Sequence, residues 1–384
     1  MLHQNSVFHG VLKQVPWHRF ERLVDEHHAD KHVRSLTTKG QLIALIYAQL
    51  SGAQSLREIE AALESHATRL YHLGGEEVAR ATLSDANAQR PWQVFGGLFA
   101  HLVGQLTRGL KRKAGEAVHL IDSSGLRLSA LSKDWARFST GVCGAKMHVI
   151  YDPDADCPIY AAVTPANVND ITAAKAMPIT AGATYVFDLG YYDYAWWAKL
   201  DAAGCLIVTR LKANTKLSVV AENAVAKDSN ILSDRIGHLP QRMARNRQNP
   251  FQDPVRELRV RIETGEVLRI LSNDIDMPAN KIADLYKRRW QIELFFRWVK
   301  QTLRIKHFLG RSENAVRIQI AVALIAFLLL RLAHAAQRTI PSLLGFARLV
   351  RVNLMHRRPL DRLLDPPPPL IQNQRQLSFN LCQN

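Results

Sequence analysis

The stretch KIADLYKRRWQIELFFRWVKQT, residues 281–302, contains no glycine or proline, and its apolar residues recur at helical spacing. At about 100° per residue, Tyr286, Arg289, Glu293 and Lys300 fall within roughly a 60° arc and form one polar stripe. Leu285, Ile292, Phe295, Trp298, Val299 and Leu303 occupy a different sector, which is expected to be buried. One carboxylate therefore sits mid-helix, with a cation one turn before it and another two turns after. Taken alone, Arg289 and Glu293 also read as an ordinary solvated i,i+4 pair.

The same four residues spell Tyr, two residues, Arg, three residues, Glu, six residues, Lys. This resembles the glutamate-bearing helix of a large branch of bacterial insertion-sequence transposases, the DDE enzymes with an RNase H-like core. That family needs two further carboxylates, each at the end of a core strand. The chain offers both. An apolar strand over residues 117–121 ends in Asp122-Ser123-Ser124-Gly125, and another over 184–187 ends in Asp188-Leu189-Gly190. Strands at 146–151 and 159–164, helices at 170–177 and 193–203, and a fifth strand at 205–211 complete the order strand, strand, strand, helix, strand, helix, strand. An aspartate at a strand end is often only a turn former or cap. Two at the required strands, followed by the glutamate helix, agree independently.

What the resemblance implies is an α/β fold. It would have an RNase H-like mixed five-stranded sheet flanked by helices, an inserted β-rich subdomain and an N-terminal all-helical domain. The expected divisions are a helical DNA-binding domain at 1–110, the first part of the catalytic core at 115–212 and a β-rich insertion at 213–280. The second part of the core, with the glutamate helix, follows at 281–337, and a basic region with a flexible tail at 338–384. It also implies a magnesium-dependent enzyme. Asp122, Asp188 and Glu293 would be its catalytic residues and the ligands of two Mg²⁺ (or Mn²⁺) ions, because hard cations take oxygen donors. Tyr286, Arg289 and Lys300, with Trp290 and Arg297 beside them, would contact DNA. Lys146 and His148 are weaker candidates, explained as well by a half-exposed strand face. The family's chemistry is two-metal cleavage at transposon ends, then transfer of the freed 3′-OH into target DNA. Its partners are double-stranded terminal inverted repeats and target DNA, held by a homodimer in a DNA-bound complex. Two alternatives stay open: an RNase H-like nuclease without strand transfer, and a non-catalytic DNA-binding repressor.

Away from this core the residues say less. Residues 38–51 carry an apolar helical stripe, Ser51-Gly52-Ala53-Gln54 reads as a turn, and Ser55 with Glu58 forms a capping box opening a second helix. The pair suggests a helix-turn-helix. Thr82 to Asp85 reads as the cap of another helix, interrupted near Pro91. His27, His28 and His32 have no metal-ligand spacing and read as a solvated face. Asp152-Pro153-Asp154-Ala155-Asp156 has the opening of a calcium loop but Cys157 and Val163 at the sixth and twelfth positions, so a hairpin turn is expected. Strands are expected at 217–221, 231–239, 255–262 and 267–271, with Arg242, Arg245 and Arg247 in a polar loop. Residues 315–337 read as an apolar core helix, and Pro366 to Pro369 as the end of order.

Composition fits this reading. A net charge of +16 favours a polyanionic partner, and residues 285–311 hold eight Lys/Arg against Glu293 alone. Cys143, Cys157, Cys205 and Cys382 form no CxxC pair and suit a reducing cytoplasm. The N-terminus lacks a secretory pattern, and the ten-residue run 321–330 is too short to span a bilayer. A cytoplasmic, nucleoid-associated bacterial protein with no membrane partner is the expectation.

Overall fold

The computed structural model describes residues 5–108, 116–242, 247–303, 305 and 308–365. Arg245 and the tail expected after Pro366 lie outside the described residues.

Helices come first: α1 (Val7–Leu12), α2 (Trp17–Glu26), α3 (Thr38–Ser51), α4 (Leu56–Glu64), α5 (Ala67–Leu70), α6 (Arg80–Gln89) and α7 (Trp92–Thr107). Helix α3 starts where Thr37 Oγ1 accepts from the Gly40 N–H and stops at Gly52, whose left-handed φ of 82° favours glycine. The capping box at Ser55 forms with a shift: Ser55 Oγ accepts from Glu58 N–H, but the Glu58 carboxylate takes the N–H of Gln54. Thr82 is no cap. Helix α6 begins two residues earlier, at Arg80.

The sheet strands follow: β1 (Val118–Leu128), β2 (Arg137–Ser139), β3 (Val142–Asp152), β4 (Cys157–Pro165), β5 (Thr184–Val186), β6 (Leu206–Arg210), β7 (Ser218–Asn223), β8 (Ile231–His238), β9 (Val255–Arg261) and β10 (Val267–Ser272). Between β1 and β2 lies the short helix α8 (Lys133–Ala136). After β4 comes α9 (Asp170–Ala174), and after β5 comes α10 (Tyr194–Ala202). The order β4-β3-β1-β5-β6, with β3 antiparallel to both its neighbours and β5 and β6 parallel to β1, is the RNase H-like arrangement. Strand β1 does not end at Asp122. It runs six residues further because Ser123 to Leu128 stay paired with β3. The strands expected as an insertion continue the same sheet, since β10 pairs antiparallel with β6 and leads on through β9 and β8 to β7.

Four helices close the fold: α11 (Ala279–Arg288), α12 (Trp290–Thr302), α13 (Glu313–Ala335) and α14 (Leu343–Asn353). The continuous helix expected over 282–302 is two helices meeting at Arg289. There the Arg289 N–H bonds Tyr286 O and the Ile292 N–H bonds Arg289 O, contacts three residues apart that tighten one turn. Alternation along each strand sorts side chains to two faces. Leu120 and Val186 join the core under α12 and α13, whereas Ile121, Tyr185 and Phe187 join Trp196 and Trp197 of α10 on the other face. Helix α13 belongs to the first core and packs on α3, α6 and α7, so the N-terminal helices share it. At 23 residues α13 is long and apolar enough to cross a membrane, contrary to the shorter run expected, but most of it is buried inside the protein.

The 152–156 turn joins β3 to β4 as expected of a hairpin. Asp152 accepts from the Asp154 and Ala155 N–H groups, while Asp154 and Asp156 pair with Arg288 and Arg331. Deeper in the sheet extension, Arg256 forms a two-pronged pair with Asp234 at 2.8 and 2.6 Å, both side chains 7% exposed or less. Arg256 also donates to the carbonyls of Ile275 and Met277 at the approach to α11. Removing one partner strands a buried charge, so Asp234→Ala should cost about 3–5 kcal/mol in chemical denaturation. A loss below about 1 kcal/mol would show that the pair does not brace the extension.

Candidate active site

Asp122 follows Leu120 by two residues on β1, and Asp188 follows Val186 by two beyond β5. The parallel register pairs Leu120 with Val186. Period-two alternation then directs both aspartates to the face that α12 covers, side by side at the carboxyl ends of the two paired segments. Helix α12 packs against β1 and carries Glu293 in its first turn. The three carboxylates, spread over 172 positions of chain from Asp122 to Glu293, are thus gathered by one sheet register and one helix crossing.

Arg289 links them. Its guanidinium lies 2.6 Å from Glu293 Oε1 and 3.7 Å from Asp122 Oδ2, both within reach of one group. The tight turn between α11 and α12 places it there. Burial, with the charges of Asp188 and Glu293, pushes the Asp122 carboxyl up to about 6, against the pull of Arg289 and of the Ser123 N–H on Oδ1 at 2.7 Å. Asp188 Oδ1 takes the Gly190 N–H at 2.8 Å. A Cβ on Gly190 would come 3.0 Å from that oxygen, so glycine permits the turn to fold back on its own carboxylate.

The other residues singled out in the sequence take different stations. Tyr286 is 8% exposed, and its ring is a shelf under Arg289, 5.8 Å from the guanidinium carbon, rather than an open stacking surface. Lys300 lies two turns beyond Glu293 on α12. Trp290 is half exposed, with the Arg297 guanidinium 6.0 Å from its ring. Lys146 is half-buried, and it and His148 share the face of β3 that carries Ile150, opposite the face under α12. His148 is fully buried, bonded to Thr164 Oγ1 at 2.8 Å, and burial holds its imidazole down to about 4, hence neutral near pH 7. Lys146 donates to Val168 O and to Asp170 Oδ1.

Asp170 was not legible as part of the surroundings. It also accepts from Ser123 Oγ at 2.8 Å, and the buried Tyr191 hydroxyl feels Asp122, Asp170 and Asp188 together. In the sequence Asp170 reads only as the first residue of a helix; that this helix start folds back behind β1 is a tertiary fact.

The donor set is all oxygen, and burial together with the charges of Asp188 and Glu293 raises the Asp122 carboxyl. Both suit a hard divalent cation. Among the described residues no three His, Cys, Asp or Glu side chains lie close enough together to hold a metal ion as they stand; Arg289 pairs with Asp122 and Glu293 instead. Arg242 and Gln248 form an isolated bridge well apart in sequence from this cluster.

Comparison with known proteins accords with this geometry. Residues 113–329 match the family described as "Transposase DDE domain", and residues 3–76 match a "Domain of unknown function (DUF4372)". A Sinorhizobium fredii protein named as a transposase, y4zB, is 42% identical over 74% of this chain and 80% of its own length. A Geobacillus stearothermophilus protein named as the transposase of insertion sequence element IS5377 is 26% identical over 73% of this chain and 74% of its own. Among solved structures, the piggyBac transposase synaptic complex with hairpin DNA covers 94% of this chain and 81% of its own at a TM-score of 0.43 and 10% identity.

The Asp122 shift has a pH signature. In the folded protein this carboxyl holds its proton to about pH 6, where an unfolded aspartate is already ionised. Folded stability should therefore fall as pH rises from about 4 to about 6. With chelator present, Asp122→Asn should raise stability by about 2 kcal/mol at pH 7.5 and change it little at pH 4, read by thermal denaturation. Equal destabilisation at both pH values would show that Asp122 is not a strained charge.

Proposed function

Since the chain belongs to the transposase DDE domain family, we propose that it is the transposase of an insertion sequence, which cuts DNA at the element's ends and joins them to a new target. The observation that carries this reading is the approach of Asp188 and Glu293 to Asp122, with Arg289 between Asp122 and Glu293. In the first step water attacks the scissile phosphorus and the P–O3′ bond breaks, leaving a 3′-OH on the element. In the second, that 3′ oxygen attacks a target phosphorus and expels the target's own 3′ oxygen. Each joining makes one phosphodiester and breaks one, so no external energy source is needed.

Asp122, Asp188 and Glu293 would hold two Mg²⁺ or Mn²⁺ ions. When bound, these supply an activated attacking oxygen and neutralise the leaving one. The protein's own groups do the rest. Arg289, pre-oriented by the Tyr286 ring, turns from the carboxylates to non-bridging oxygens of the scissile phosphate, where its planar fork binds two at once. Lys300 meets a neighbouring phosphate along the same helix. Trp290 and Arg297 offer an exposed aromatic and cation to the strand beyond. Two copies of the chain would hold the two ends, acting on chromosomal DNA in the bacterial cytoplasm.

The test is nicking and joining of a supercoiled plasmid that carries the coding sequence with its native flanks. Asp122→Ala, Asp188→Ala and Glu293→Ala should each leave less than about a hundredth of the Mg²⁺-dependent nicking while still binding the plasmid. Retained nicking in any one removes that residue from the site. Cleavage without joining in the wild type would instead mark a nuclease. Arg289→Ala should weaken binding of the flank duplex about tenfold and lower the salt slope by about 1; an unchanged slope would contradict its phosphate role.

A further inference from the structure

Helix α4, second in the helical hairpin evident from sequence, is ill suited to meet DNA. It carries Glu58, Glu60 and Glu64 against Arg57. Two of those acids are already committed: Glu58 to the Gln54 N–H at 2.8 Å and Glu60 to the Arg80 N–H at 2.9 Å. Arg80 is the first residue of α6, whose N-cap, Ala79, has no side-chain acceptor. Glu60 thus supplies the acceptor and the negative charge that a helix start favours. The role of α4 is to fix where α6 begins.

Helix α6 stands as a ridge between two cationic clefts. One, of about 550 Å³, lies on the side of Arg57, Arg80 and Ser84 and is closed by Phe308. The other, of about 560 Å³, separates Asp85 and Gln89 from a loop bearing Lys31, His32 and Arg34. Between the clefts α6 turns Arg80, Ser84, Asp85 and Gln89 to solvent, while Leu83, Ala86 and Asn87 are buried. The loop is anchored as well. Asp30 Oδ1 accepts from Thr38 N–H and Oγ1 at 2.7 and 2.6 Å, and buried Arg90 donates to Leu36 O and to Gln41 Oε1. The far end of α6 is tied to the catalytic half of the chain, because Asn314 of α13 donates to the carbonyls of Asn87 and Arg90 at 3.0 and 2.7 Å.

We propose that α6 is the DNA-reading helix of this chain, seated in the major groove of a duplex whose two phosphate strands are received by Arg57 and Arg80 on one side and by Lys31 and Arg34 on the other. The inference rests on the transposase reading. A helix with its side chains, about 10–12 Å across, matches a major groove about 12 Å wide. Cations on both flanks are where the phosphates of the two strands then lie. Ser84 and Gln89 are base-edge donors and acceptors. Asp85, the one acid on the ridge, accepts from a cytosine amino group and repels phosphate, which favours groove insertion over lying on the backbone. The Asn314 bonds carry the position of α6 through α13 to the catalytic half.

The experiment uses the full chain in chelator, so that binding is read without cleavage. Duplexes of random sequence are selected by wild type, and the selected duplex is then tested by mobility shift. Ser84→Ala and Gln89→Ala should lose about ten- to a hundredfold affinity for the selected duplex but little for a scrambled one. Arg57→Ala and Lys31→Ala should weaken both duplexes equally, each lowering the salt slope by about 1. Asp85→Ala should tighten binding to the scrambled duplex. These positions are exposed, and an unchanged melting temperature confirms that each variant folds. Wild-type affinity in Ser84→Ala and Gln89→Ala, or its loss instead in Ala61→Glu on α4, overturns the assignment while leaving the transposase reading in place. Failure of the wild type to retain any duplex overturns both.

Discussion

One guanidinium shared by two acids is the contact on which the rest turns. Arg289 sits between Asp122 and Glu293, at the tightened turn where α11 meets α12. Without a cation there, helix α12 would carry an uncompensated carboxylate onto a pair of strands whose paired segments already lead to two. Burial first, and the neighbouring charges of Asp188 and Glu293 after it, push the Asp122 carboxyl up to about 6. Sites that spend stability in this way are often sites of chemistry. The remaining architecture serves the contact: the β1–β5 register aligns the aspartates, and the core beneath α12 and α13 fixes the angle at which the glutamate arrives.

Much of this was legible in the residues. Asp122, Asp188 and Glu293 stand at the ends or starts of strongly patterned segments, and alternation and helical period are local properties that survive into the fold. What escaped was non-local. The break at Arg289 has no glycine or proline to announce it; it shows only in backbone bonds three residues apart. Ser123-Ser124-Gly125 has turn composition, yet stays in β1 because β3 runs alongside it. The sheet extension read as a separate insertion because no sequence pattern states which strand β10 will pair with. Asp170 and Lys146 face each other only after β3, β4 and α9 have folded back together.

The relation between the two halves of the chain is equally physical. The N-terminal helices are not a bead on a linker. They share the core of α13, and polar bonds from Asn314 hold the end of α6. A protein that must cut at a fixed distance from the sequence it reads needs such a rigid connection, since a flexible one would blur the cut. If α6 reads DNA as proposed, the helix that fills the core, α13, sets the separation between recognition and chemistry.

The most direct measurement of the central claim replaces Mg²⁺ by Fe²⁺, with ascorbate and peroxide, and maps where hydroxyl radicals generated at the bound ion cut the polypeptide. If the three carboxylates share their cations, cuts should appear together around residues 122, 188 and 293 and disappear together when excess Mg²⁺ competes. Cuts near only one of the three, or cuts that Mg²⁺ does not suppress, would contradict the account.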